Sequence, residues 1–249
     1  MATNAERSRS FGEIAGAYDR LRPPPAPEAV DWLVPADCAV AVDLAAGTGL
    51  FTRALQTRVP SVIAVEPDER MRAVLLARSP EVTVLDGVGE AIPLDDACVD
   101  AVCVSSAWHW MDPERAVPEI ARVLRAGGRF GVIWTSRDRE VSWVQELDHI
   151  HVPATADPVI RDGRRHREVM VQDGLFSGVE TAAFSYARRM AVDDVVSMLT
   201  TYSGFITASP TEQATVLERG RAVLEAQFPG ASEIDLPIRS WCWRATRVG

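Results

Sequence analysis

The sequence predicts an α/β chain built on a parallel sheet, and three observations carry that prediction. Short runs that are apolar along their whole length alternate with helix-like segments through the first half. That pattern suits strands covered on both faces. The run VDLAAGTGLFT, from Val42 to Thr52, joins one such strand to a helix through a turn of small residues. An acidic residue, Glu66, then closes the next strand, 23 residues after Asp43.

The elements follow in order. Residues 39–44 form an apolar strand, 49–57 a helix and 61–65 a second strand. A helix over 68–77 has Asp68 at its N-cap, where a carboxylate accepts the first free N–H groups. Residues 82–85 make a third strand, followed by a polar loop containing proline. Strand 99–104, helix 113–124 and strand 128–134 complete the alternation. The second half is less regular. Helices are expected over 141–150, 164–176, 192–205 and 211–228, and strands over 181–190 and 234–246. The stretch Arg22-Pro23-Pro24-Pro25-Ala26-Pro27 reads as a stiff extended connector.

The chain has 249 residues and a net charge of −9. That length suits one large domain, or one domain with a cap. A 47% hydrophobic fraction supplies a core and excludes a disordered chain. The acidic balance offers nucleic acid no general attraction, so no nucleic-acid partner is expected. No apolar run reaches the roughly 18 residues of a membrane span, and the first residues lack the apolar core of a signal peptide. All 26 basic residues are arginine. The absence of lysine excludes Schiff-base chemistry and a lysine-bearing phosphate loop. With abundant alanine and valine, it points to a GC-rich bacterial genome. Cys38, Cys98, Cys103 and Cys242 lack C-x-x-C spacing and read as buried thiols in a reducing cytoplasm. His109, His149, His151 and His166 form no metal motif, and no metal is expected.

The small-residue turn carries the chemistry. Gly47 and Gly49 can adopt positive φ and let backbone approach a ligand, and the following helix directs free N–H groups there. Glu66 sits where an acidic side chain accepts both hydroxyls of a ribose. Packing of strand on helix would also favour small residues, and Glu66 could simply be solvated. The dinucleotide pattern G-x-G-x-x-G needs a final glycine where this chain has Thr52 or Leu50, according to frame. A nicotinamide oxidoreductase is therefore disfavoured. S-adenosylmethionine has no pyrophosphate and makes fewer demands at that position.

At these residues the chain resembles the class I S-adenosylmethionine-dependent methyltransferases, within them the group called methyltransferase type 11. The likeness runs from about Phe11 to Trp143 through YDRLRP, VDLAAGTGLFT, AVEPDERM, GVGEAIPL, VDAVCVSSAWHWMD, ARVLRAGGRFGVIW and RDREVSW, and returns in LPIRSWCW. The resemblance implies a Rossmann-like seven-stranded sheet of order 3-2-1-4-5-7-6 with an antiparallel last strand. It implies one domain over 1–249, an N-terminal lid over about 1–35 and a helical cap over about 192–228. Asp43, Ala45, Gly47 and Gly49 would surround the methionine part of the cofactor. Glu66 would bind the ribose, and Pro67, Met71, Val88 and Gly89 would border the adenine. Ser105 would lie near the sulfonium. Many relatives carry Asp at the Val88 position and Gly at the Ala45 position; the extra methyl at Ala45 is tolerable if φ stays negative.

Methyl transfer needs alignment and sometimes a base. Trp108-His109-Trp110 follows the fourth strand. His109 could take a proton, with Trp108 and Trp110 as walls, or cap the following helix while the tryptophans pack. Tyr18, Arg22, Trp143, Tyr202 and Phe205 are further pocket candidates, with Tyr18 and Arg22 expected to close the N-terminal segment over the cofactor. The expected partner is a small-molecule acceptor, in a monomer or homodimer. The alternative is a protein of the same fold that holds S-adenosylmethionine without transferring its methyl.

Overall fold

The computed structural model describes residues 15–150, 174–206 and 208–249. Most of the helix expected over 164–176, along with His151, His166 and the first part of the expected lid, lies outside them. Seven strands form one sheet: β1 (Val40–Leu44), β2 (Ser61–Val65), β3 (Thr83–Leu85), β4 (Val99–Ser105), β5 (Leu124–Arg137), β6 (Phe176–Ala191) and β7 (Glu233–Arg247). Their order is the expected β3-β2-β1-β4-β5-β7-β6. The first five run parallel, with Asp43 beside Ala64 and Cys103, and Ser105 beside Ile133. β7 runs against β5: Arg247 reaches the Leu124 carbonyl, Thr135 meets Ser240, and Asp138 N–H donates to the Pro237 carbonyl.

The chain falls into two compact units. One gathers the described residues of 24–135, 168–184 and 240–249. It holds α2 (Pro27–Leu33), α3 (Leu50–Gln56), α4 (Glu69–Arg78) and α5 (Pro113–Val123). The strands here are apolar on both faces because helices cover both. Val42, Leu44, Val102 and Val104 are fully buried, and Phe130 centres an aromatic group with Trp108, Phe176 and Trp243 at 5.3–5.6 Å. Asp68 caps α4 by accepting from Arg70 and Met71 N–H. Arg122 on α5 donates to the Ile92 and Leu94 carbonyls and pairs with Asp96 and Glu119. It thereby ties the loop after β3 to the helix.

The other unit gathers the described residues of 1–23, 136–167 and 185–239. It holds α1 (Ala15–Leu21), α6 (Ser142–His149), α7 (Val192–Met198), α8 (Ser203–Ile206) and α9 (Pro210–Gln227). Its core includes Leu21, Leu147, Val195, Met198, Leu224 and Leu236. A capping box between Ser209 and Glu212 starts α9, with Pro210 at its first turn.

The structure differs from the sequence reading in three places, two of them with local physical causes. The single helix expected over 192–205 is broken into α7, a short 3₁₀ turn (Leu199–Thr201) and α8. The hydroxyls of Thr200 and Thr201 bond back to the Ser197 and Met198 carbonyls, and Tyr202 leaves the helix with φ −92° and ψ 141°. Pro27, read as the end of a connector, is the first residue of α2, where its missing N–H costs nothing. The later strands are longer than expected, with β6 and β5 reaching 16 and 14 residues.

Candidate functional site

The ends of β1 and β2 bring the expected cofactor residues together. Asp43 is fully buried; its Oδ2 accepts from the Thr52 hydroxyl at 2.6 Å, and its Oδ1 has no hydrogen-bond partner. Burial pushes its carboxyl up to about 7, aided by the nearby Glu66 charge and opposed by the Thr52 hydrogen bond. The Thr48 hydroxyl is also buried without a partner. Gly47 takes φ +57°, and a side chain built on it would touch nothing within 4 Å. Open space therefore lies over Gly47, beside buried polar atoms that lack partners. Gly49 is small for another reason: its φ is +83°, and a Cβ there would stand 2.8 Å from Leu75 Cγ. It packs α3 onto α4.

Glu66 is buried at the end of β2. Its Oε2 accepts from Gly47 N–H at 2.8 Å and its Oε1 from Asp68 N–H at 2.9 Å. Ala46 N–H donates to the Val65 carbonyl at 3.1 Å. The turn is therefore tied to β2 at two successive residues. Burial raises the Glu66 pKa, against the two backbone donors. Each carboxylate oxygen keeps lone-pair capacity for a ligand hydroxyl. Glu66→Ala removes the carboxylate from both the loop and any ribose. Charged hydrogen bonds contribute roughly 1.5–3 kcal/mol, so affinity for S-adenosylhomocysteine should fall about 10- to 100-fold. Unchanged affinity by calorimetry, in a folded variant, would overturn the assignment.

Ala45 corrects the sequence reading. Its φ is +58°, in the left-handed region, so the condition of a negative φ under which the methyl was tolerable is not met. A left-handed L-residue costs roughly 1–2 kcal/mol, whereas glycine costs about 0.4–1 kcal/mol of unfolded-chain entropy. Ala45→Gly should therefore stabilise the protein by about 0.5–1 kcal/mol, read as a small rise in melting temperature. A lower melting temperature would mean that packing of the alanine methyl outweighs the strain.

The remaining residues expected beside adenine are placed as follows. Pro67 is exposed, Met71 is buried under α4, and Val88 is 42% exposed, an apolar side chain without a covering. Gly89 is bare because Met111 occupies the adjoining space: a Cβ there would lie 2.7 Å from its Sδ.

Beyond β4, Ser105 is partly buried and Ser106 takes φ +55° while donating to the Ile133 carbonyl. Residues Trp108–Trp110 form a 3₁₀ turn. Trp108 packs into the core on Phe130, whereas the His109 ring lies against Trp110 at 4.4 Å. Asp112, not His109, caps α5, by accepting from Glu114 N–H. Two residues were given no site role in the sequence. Thr52 holds Asp43, and Trp134, near the carboxyl end of β5, buries an indole N–H with no acceptor. A polar residue in the first turn after the glycine loop and a tryptophan ending a central strand were the available signals.

In the other unit, Trp143 stands edge-on to Phe228 at 5.1 Å and belongs to the core. Its size fills that core. Phe205 is buried, and Tyr202 carries two guanidinium groups against its ring, those of Arg22 and Arg137. Arg22 also lies 5.2 Å from the Tyr18 ring. Among the described residues, no group of three acidic, cysteine or histidine side chains could hold a metal ion. No helix among them is long and apolar enough to cross a membrane.

The sequence profile of a family described as a methyltransferase domain matches residues 42–132. An uncharacterized methyltransferase of Mycobacterium tuberculosis (strain ATCC 25618 / H37Rv) is 39% identical over 243 residues, covering 97% of each chain. An uncharacterized methyltransferase of Schizosaccharomyces pombe is 28% identical over 232 residues, covering 91% of each. Among solved structures, a candidate type II methyltransferase of Anaeromyxobacter dehalogenans superposes with a TM-score of 0.68 at 25% identity. That match covers 90% of this chain and 97% of the other.

Proposed function

This chain belongs to the S-adenosylmethionine-dependent methyltransferases, and from that premise we propose that it moves the cofactor's methyl group to a small-molecule acceptor. The observation that carries the reading is the buried Asp43 with a partnerless Oδ1 beside the open, left-handed Gly47 and the carboxylate of Glu66. A cationic, hydroxyl-bearing ligand fits that set: unfilled acceptors, backbone that can be approached, and two acidic groups. Asp43 and Thr48 would hold the amino-acid end, Glu66 the ribose and Val88 the adenine face. When bound, the cofactor supplies a methyl carbon on a positively charged sulfur, whose leaving group departs neutral.

The protein's work is then alignment and exclusion of water, with proton removal where the acceptor needs it. His109, just beyond β4, is the residue we assign to that proton. Ser105 and the partnerless Trp134 N–H are the polar groups offered at the same ends of β4 and β5. The test is product. Incubation of the full chain with methyl-labelled cofactor and fractionated small metabolites should yield S-adenosylhomocysteine in step with a labelled product. Tight cofactor binding with no turnover on any fraction would favour a binding protein of the same fold.

A further inference from the structure

Arg137 ends β5 and is almost completely buried, at 2% exposure. A guanidinium has five N–H donors, no acceptor and a permanent charge. Its Nη2 faces Asp148, whose other oxygen is taken by Arg139. Its Nε and Nη1 have no hydrogen-bond partner. Arg22 comes to the same place from the end of α1. Its Nη2 donates to the Thr201 carbonyl at 2.9 Å, and its Nε is buried and also without a partner. The Arg22 guanidinium carbon lies 3.9 Å from the centre of the Tyr202 ring, and that of Arg137 lies 4.9 Å from the same centre.

Two guanidinium groups thus share one aromatic ring, and the carboxylate paired with Arg137 is shared with Arg139. Buried donors are nearly always satisfied, and a buried charge is costly unless it meets a partner. Here three nitrogens on two cations lack a well-formed hydrogen bond, although Asp148 and the Tyr202 hydroxyl lie close to Arg137. The ligand that satisfies such a set is an anion with several acceptor oxygens, for which arginine is the preferred partner. We propose that Arg22 and Arg137, with Tyr202 as a flat wall, bind a small-molecule oxyanion, a carboxylate or a phosphate.

The experiment uses the full chain saturated with S-adenosylhomocysteine, at constant ionic strength. Succinate, glycerol 3-phosphate and neutral succinamide are titrated at millimolar concentration, with melting temperature and calorimetric heat as readouts. Succinate or glycerol 3-phosphate should bind saturably and raise the melting temperature; which of them does so separates carboxylate from phosphate. Succinamide should do neither. Arg22→Gln should weaken the response about tenfold or more. Arg22 is the better probe because removing Arg137 strands Asp148 and could unfold the unit. Equal responses to succinate and succinamide, no saturable response to either anion, or a response unaltered in Arg22→Gln would overturn the proposal. Binding of S-adenosylhomocysteine itself, measured first, separates the two readings. Cofactor binding without an anion response discards the oxyanion site alone. An anion response without cofactor binding supports the site and counts against the cofactor reading alone.

Discussion

Replacing Asp43 by asparagine is expected to make the free protein more stable above neutral pH and poorer at holding its cofactor. The buried Asp43 carboxyl titrates at about 7, against 3.8 for an ordinary aspartate, chiefly because burial penalises the charge. With the folded value raised, the folded state binds a proton that the unfolded chain has already lost. The associated stability is fully present below the unfolded value and is lost as pH rises from about 3.8 to about 7. At roughly 1.4 kcal/mol per pH unit, the loss is about 4–5 kcal/mol by pH 8.

Asparagine stays neutral and avoids that loss. It can still accept from the Thr52 hydroxyl, but its amide N–H₂ lacks a buried acceptor, at a cost of about 1–3 kcal/mol. The net gain at pH 8 is therefore about 1–3 kcal/mol, a rise of several degrees in melting temperature. Near pH 4 the gain should vanish or reverse, because wild-type Asp43 is then neutral as well. Cofactor affinity moves the other way: a cationic ligand loses a charged acceptor, and binding should weaken about 10- to 100-fold at pH 8. Wild-type affinity should also rise with pH up to about 7, since a cation selects the ionised form. Denaturant melts and calorimetry at pH 5 and pH 8 check both halves. A stability difference that does not vary with pH would refute the buried-charge account.

The second large effect is expected at His109. General-base catalysis typically contributes 10²–10⁴-fold. His109→Gln keeps approximate shape and some hydrogen bonding but cannot take a proton at neutral pH, so turnover should fall by about that factor. Cofactor affinity should change little, because the residues proposed to hold the cofactor stand on other loops. The His109 ring packs against Trp110 at 4.4 Å, so the melting temperature must be measured beside the rate. A large fall in melting temperature with normal activity in the folded fraction would make the residue structural. A stable, cofactor-binding variant with undiminished turnover would remove His109 from the reaction and leave alignment as the main source of rate.

The central sheet was legible in the sequence because its strands are buried on both faces, and burial writes itself as uninterrupted apolar runs. The glycine turn and Glu66 were legible because a left-handed turn and a carboxylate at a strand end restrict residue type at fixed spacing. Asp68 and Ser209 announced helix starts by the same local logic. Those features depend on neighbours in the chain, so the chain alone determined them.

What tertiary structure decided was the meaning of residues whose partners lie far away in sequence. Trp108 and Trp143 could wall a pocket or pack, and the contacts with Phe130 and Phe228 hold them in cores. The Ala45 methyl was tolerable only at negative φ, yet the residue stands at φ +58° in a turn whose next residue, Ala46, donates to Val65 on the neighbouring strand. The break at Tyr202 goes with hydroxyls that bond back along the chain and with arginines brought from α1 and β5. Arg137 gave no sign in the sequence, since one arginine among 26 looks like a solvated charge. Its burial, with donors left over, exists only once residues 115 positions apart have met at one ring. Periodicity records which side of an element faces inward; it cannot record which distant group waits there.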